Sequence, residues 1–244
     1  MEHEIRWKSS YVEVLDVGGT VKKFVEGGED VFFPWRDIGD GKTRGGCFAC
    51  LPWFGSSIFA SRKHGYLRDT MPYEKFESDI SVNLNFCLPG NNLYPWSMKC
   101  STRTFIHQED ALEFSLRVER TRDGLTERLA PILPAFHPYF PFKLEETEVV
   151  IGDQVIRNSS FNTNPIPLYD IKRIIVRTPR KKVEIELGGG FLRNGNNHVV
   201  LWTDSPEEYV CVEPVLGMPG TLGLPKGLFL NQGQVIEISA IFHV

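Results

Sequence analysis

Leu112-Glu113-Phe114-Ser115-Leu116-Arg117-Val118-Glu119 alternates apolar and polar side chains without a break. Successive side chains of a strand point to opposite faces, so this stretch predicts a strand with one face in a core and the other in water. The pattern returns at Val183, Ile185 and Leu187 around Glu184 and Glu186, and at Ile236, Ile238, Ala240 and Phe242 around Glu237 and Ser239. Further strands are expected over 11–15, 21–25, 81–87, 101–107, 148–151, 172–177, 198–202 and 209–213. Turn signals lie between them, at Gly18-Gly19, Gly27-Gly28, Pro89-Gly90, Asp123-Gly124 and Pro219-Gly220. Helical periodicity never persists beyond about three turns. Many strands, frequent turns and few short helices predict an all-β fold, a large antiparallel β-sandwich. With no internal repeat and no linker, residues 1–244 are expected to form a single domain.

Composition narrows the partners. A chain that is 41% hydrophobic, 24% charged and 12% aromatic can bury a sizeable core. Its net charge of −4 gives no basic face with which to neutralise phosphates, so no nucleic-acid partner is expected and a small molecule is. The locally basic stretch of Lys172, Arg173, Arg177, Arg180, Lys181 and Lys182 reads as a solvated strand and turn. Met1-Glu2-His3-Glu4-Ile5-Arg6 has no apolar stretch that could serve as a signal peptide, no run of 18 apolar residues occurs, and five cysteines make an odd count for a disulfide framework. A cytoplasmic protein without a membrane partner, monomeric or a small homo-oligomer, is the expectation.

Three blocks far apart in sequence set proton-transfer groups among glycine, proline and aromatic residues. The first runs from Arg44-Gly45-Gly46 to Pro52-Trp53-Phe54-Gly55 and continues into Lys63-His64-Gly65-Tyr66-Leu67-Arg68; the second is Phe136-His137-Pro138-Tyr139-Phe140. The third is Trp202-Thr203-Asp204 with Tyr209-Val210-Cys211-Val212-Glu213-Pro214. Glu213 follows an apolar run, where a carboxylate either reaches water at a strand end or is desolvated, its pKa rising toward that of a general base. Imidazole suits proton donation near neutral pH, and His64 and His137 both lie among aromatics. Cys47-x-x-Cys50 lacks a second pair at zinc spacing and reads as ordinary buried thiols, so no metal site is expected. Gly188-Gly189-Gly190 reads as a hairpin loop rather than the opening of a helix.

In order and approximate spacing, the blocks Arg-Gly-Gly to Pro-x-Phe-Gly, His-Gly-aromatic-x-Arg, His-x-Tyr-Phe and Val-x-Val-Glu-Pro resemble the aldose 1-epimerase family. This family belongs to the galactose mutarotase-like superfamily, and the likeness is strongest to its branch that includes glucose-6-phosphate 1-epimerases. The resemblance covers about residue 15 to the C-terminal strand. It implies the supersandwich form of the β-sandwich and interconversion of the α and β anomers of an aldose or hexose 6-phosphate, with no cofactor. Glu213 would be the base at the anomeric hydroxyl, and His137 or His64 would support protonation of the ring oxygen. Arg44, Arg68 and, as a looser match, Lys63 would hold sugar hydroxyls or a phosphate. Asp204 falls where the family often has a polar residue near the sugar, although it could equally cap the turn at Ser205-Pro206.

Two departures leave aldose and aldose phosphate both open. Asp69 to Phe76 lacks the tryptophan that commonly follows the His-Gly block, and the segment Val215 to Gly220 is unlike the phosphate-sugar branch. A non-catalytic carbohydrate-binding protein on the same fold is the alternative, since function resides in sites and not in folds. A glycoside hydrolase would need two carboxylates, of which only Glu213 and Asp204 are candidates.

Overall fold

The computed structural model describes residues 1–39, 42–59, 62–107, 110–123, 125–193 and 195–244. Two nine-stranded antiparallel sheets form it. The first takes its strands in the order Glu2–Trp7, Ser10–Leu15, Val21–Glu26, Cys47–Cys50, Ala135–Phe140, Val210–Val215, His198–Trp202 and Ile166–Pro167, with Glu29–Asp30 added beside Val21–Glu26. The second runs Gln154–Ile156, Glu148–Ile151, Arg173–Arg177, Lys182–Gly189, Val235–His243, Ala111–Arg120, Met98–His107, Ser81–Leu88 and Glu74–Ser78. The sandwich class expected from the alternating stretches is the class found, and every strand expected above has a counterpart within a few residues.

The stretch at 112–119 occupies the middle of the second sheet. Its Phe114 is paired with Thr104 on one side and Ala240 on the other. From there Phe114 reaches across the sandwich to Phe136 of the first sheet, with ring centroids 5.2 Å apart. Phe242 does the same toward Phe32 and Phe140, at 4.9 and 6.4 Å. These edge-on and tilted aromatic contacts form the centre of a continuous hydrophobic core between the sheets.

Helical structure among the described residues is confined to four 3₁₀ turns and the single α-turn Gly190–Arg193. That turn corrects the hairpin expected at Gly188-Gly189-Gly190. Gly188 and Gly189 stay in the strand, paired with Ser239 and Ile238, and Gly190 opens the helix. A Cβ on Gly189, whose φ is 64°, would stand 2.3 Å from the Glu237 carbonyl oxygen, and one on Gly188 would meet the Ser239 hydroxyl at 2.3 Å, so close approach of the neighbouring strand favours glycine at both. Of the expected Asp123-Gly124 turn, Gly124 lies outside the described residues. The basic stretch is a wet strand and turn, as expected: Arg177 binds Glu148, and Arg173 faces Glu184 and Glu186. No helix among the described residues is long and apolar enough to cross a membrane.

Several strands went unanticipated, among them Glu74–Ser78, Gln154–Ile156, Glu2–Trp7, Cys47–Cys50 and Ala135–Phe140. The last two lie at the centre of the first sheet beside Val210–Val215, and all three of these central strands are buried at every position. One face meets the other sheet and the opposite face is covered by loops, so no polar side chain alternates with an apolar one.

Candidate active site

Antiparallel partners share a face of a sheet, and the register of the central strands gathers one face into a site. His137 is paired with Phe48, Tyr139 with Cys211, Val200 with Glu213 and Trp202 with Cys211. Phe48, His137, Tyr139, Val200, Trp202 and Glu213 therefore project to the side away from the core, where they line a cavity of about 560 Å³. The short strand Lys42–Arg44, the segment of Lys63 and His64 and the 3₁₀ turn of Arg68 supply more of the wall, including Thr43.

The His137 imidazole is held between two rings, stacked on Phe48 at 4.7 Å and on Tyr139 at 4.8 Å. Its Nε2 lies 3.5 Å from Glu213 Oε2, and both side chains are less than 5% exposed. Nδ1 of His137 has no hydrogen-bond partner among the described residues. Burial pushes the Glu213 carboxyl well above the usual carboxylate range. Burial, aided by His64, Arg68 and Arg44, pulls the imidazole of His137 well below its usual value. Glu213 is thus an interior residue of Val210–Val215, not a strand-end carboxylate reaching water.

His64 stands edge-on to His137, with centroids 5.0 Å apart. Its backbone N–H donates to the Gly55 carbonyl at 2.9 Å, and the Gly55 N–H donates to its Nδ1 at 3.3 Å. The ring proton therefore sits on Nε2. Burial, then Arg68, Lys63 and Arg44, lower its pKa to about 3, so it remains a neutral donor at physiological pH. This clasp requires a left-handed backbone at His64, φ 65°, followed by Gly65 at φ 73°. A Cβ on Gly65 would fall 2.1 Å from the Leu51 carbonyl oxygen. Gly65→Ala is expected to destabilise the protein by roughly 2–4 kcal/mol through this backbone collision; an unchanged urea midpoint would contradict it.

The cations at the mouth fall into two groups. Arg44 Nε donates to Asp204 at 3.1 Å and to the Tyr209 hydroxyl at 3.1 Å, and its guanidinium lies over Trp202 at 5.4 Å. Arg62 is paired with Asp69. Arg68 donates to Thr43 Oγ1 at 3.0 Å and lies over Phe48 at 4.5 Å, without a carboxylate partner among the described residues. Lys42 and Lys63, both exposed, likewise have none among them.

Six of the seven residues singled out from the sequence therefore converge on one cavity: Glu213, His137, His64, Arg44, Arg68 and Lys63. Asp204 is outside the wall and instead anchors Arg44 and accepts from Tyr209; it caps no turn at Ser205. The sequence did not single out Phe48, Tyr139, Trp202, Lys42 or Thr43. Cross-strand register brings the first three into the site, and no local pattern encodes that register. The Cys47 and Cys50 thiols are free and buried, and Cys50 Sγ lies 3.4 Å from His64 Nδ1. Among the described residues, the group that could hold a metal is His137, Cys211 and Glu213, whose donor atoms lie within 4.8 Å of one another. Burial raises the pKa of both the Cys211 thiol and the Glu213 carboxyl, so an ion there would have to displace two protons.

No family profile matches the sequence, and no curated protein does. Solved structures do. A galactose mutarotase related enzyme from Lactobacillus acidophilus is 15% identical, with a TM-score of 0.75 over 100% of this chain and 98% of that one. The chain shares its fold. A galactose mutarotase-like protein from Lactobacillus casei is similar at 13% identity and a TM-score of 0.73, over 100% and 99% of the two chains. Galactose 1-epimerase from Lactobacillus acidophilus gives 13% and 0.73, over 99% and 93%. The all-β sandwich of this chain is therefore the fold that these three proteins have.

Proposed function

We propose that this cavity interconverts the α and β anomers of an aldose by general acid and base catalysis, and that a hexose 6-phosphate is the best-fitting substrate. The observation that supports the reaction is the His137–Glu213 pair, 3.5 Å apart at the floor of a cavity with polar walls. Glu213 takes the proton of the anomeric hydroxyl while His137 delivers one to the ring oxygen, and the bond from C1 to the ring oxygen breaks. Rotation about C1–C2 presents the other face of the new carbonyl. The ring hydroxyl adds to it, returning its proton to His137 as Glu213 reprotonates the anomeric oxygen. His64 donates through Nε2 to a sugar oxygen. The residues suffice without an electron or group carrier. The phosphate version is supported by Arg68, Lys42 and Lys63, cations without carboxylate partners among the described residues.

The buried pair works as a unit that holds one proton. Imidazole gains its proton only well below its usual value, and the carboxyl loses its own only well above the usual range. Between these limits the pair keeps the single proton the reaction needs, and the hydroxyls of a bound sugar favour imidazolium and carboxylate over the neutral arrangement. The rate constant kcat/KM is expected to be flat through neutral pH, to fall at acid pH when the pair takes a second proton, and to fall at alkaline pH when the carboxyl loses the last. A profile rising steadily with pH through 6.5 would reject this assignment.

The test of the reaction is the decay of optical rotation of fresh α-glucose and α-galactose, with anomer exchange of their 6-phosphates followed by NMR. No rate above buffer for any of the four sugars would reject the reading. Saturable binding by calorimetry with no such rate would put a sugar-binding protein in its place.

A further inference from the structure

His137 and Glu213 are each followed by proline, Pro138 and Pro214, in the middle of a central sheet where proline is rare. The ladder between their strands is paired at Ala135 with Val215, then not again until Tyr139 with Cys211. Counting along both strands from either end sets His137 directly across from Glu213 inside this gap. The direction of the backbone groups identifies the missing bonds. Leu216 N–H donates to the Pro134 carbonyl across the gap's edge, whereas Tyr139 N–H turns away to Gly46. Alternation then aims the backbone groups of Phe136 and Pro138 at the neighbouring strand. The donors for the Val212 and Phe136 carbonyls would be the N–H groups of Pro138 and Pro214, which do not exist. A ring CH₂ occupies each place, and carbon stands off from a carbonyl oxygen by roughly 3.3–3.6 Å, compared with about 2.9 Å for an N–H donor.

The pairings of Ala135 with Val215 and Tyr139 with Cys211 keep the Phe136 and Val212 N–H groups bonded to the Pro214 and Pro138 carbonyls. We propose that Pro138 and Pro214 are positioning residues: by deleting the other two ladder bonds beneath the pair, they set the strand spacing so that His137 and Glu213 stand adjacent without bonding to each other. Two buried polar groups facing each other, one lacking any partner on its other nitrogen, would otherwise close to the 2.7–2.9 Å or so of a charge-assisted bond. Here Nε2 and Oε2 stand 3.5 Å apart. Phe48 and Tyr139 stack on the ring and limit its sideways movement, so a change in strand spacing would be felt in this distance. An unbonded acid and base can each engage a different oxygen of one sugar; a bonded pair is spent on itself. The role of the spacing in turnover rests on the proposed function, but the spacing does not.

Pro138→Ala, Pro214→Ala and the double variant restore the donors, with Pro167→Ala, at the edge of the same sheet, as control. The expected result is kcat lowered at least about tenfold with KM changed less than about twofold. The thermal midpoint should be equal or higher, the new backbone N–H slow to exchange, and a downfield hydrogen-bonded imidazole proton should appear in the NMR spectrum. The control should match the wild type in all of these. Unchanged kcat in the double variant, or a kcat loss that merely tracks a lower midpoint, overturns the positioning role. If the wild type turns over no sugar, the proposed function has failed by itself. The imidazole proton then still decides the spacing, which is overturned if no such signal is gained.

Discussion

Glu213→Gln is expected to lower the anomerisation rate constant by roughly 10²–10⁴ while sugar binding by calorimetry weakens only a few-fold. Glutamine keeps the size and one oxygen but cannot take a proton. The side chain is 2% exposed and faces His137 at 3.5 Å, so the glutamine would occupy the same place with no proton acceptor to offer. Because burial already raises the carboxyl's pKa, the neutral amide replaces a group that is easily neutral, and folding should not suffer. The thermal midpoint should stay within a few degrees. A variant that retains more than about half the wild-type rate would remove Glu213 from the chemistry, and with it the proposed division of labour.

Arg68→Ala is expected to raise KM for a hexose 6-phosphate by about 10–100-fold and to change that for the unphosphorylated sugar less than about threefold. A charge-assisted hydrogen bond of a guanidinium to phosphate contributes roughly 1.5–3 kcal/mol, and this guanidinium has its fork free of carboxylates among the described residues. Arg44, tied to Asp204 and Tyr209, has less to offer an anion. Burial disfavours the Arg68 charge in the empty cavity, a cost that an incoming dianion relieves. Equal losses for both sugars would mean that Arg68 holds the ring, and the phosphate preference would fall. Arg68 also lies over Phe48, so the thermal midpoint of the variant must be checked alongside.

How much of this was legible depended on where water sits. The strand at 111–120 could be read because Glu113, Arg117 and Glu119 leave one face partly solvated, and the same holds for 182–189 and 235–243. The strands beneath the candidate site have no wet face, so Cys47–Cys50 and Ala135–Phe140 lack the period, and in the latter Pro138 argues against strand altogether. Glu2–Trp7 does alternate, but one inward residue is His3, bonded to the buried Asp16, which no hydrophobic pattern reveals. The site residues were legible where chemistry and order coincide in a short block, as at His64, His137 and Glu213. Asp204 was recognised as polar and near, yet its partner is Arg44, 160 residues earlier, and only the fold makes that pairing.

The two halves of the site come from different kinds of chain. The proposed acid and base, His137 and Glu213, stand on central strands buried at every position, whereas Lys42, Arg44, Lys63 and Arg68 arrive on the short hairpin Arg36–Gly39 with Lys42–Arg44 and on the segment that follows Gly55. On the proposed function, replacements in those segments would alter which sugar is admitted without disturbing the strands that carry the proposed proton relay. A lineage, or a designer, could therefore exchange one substrate for another by editing surface loops, while the reaction passes unchanged from ancestor to descendant.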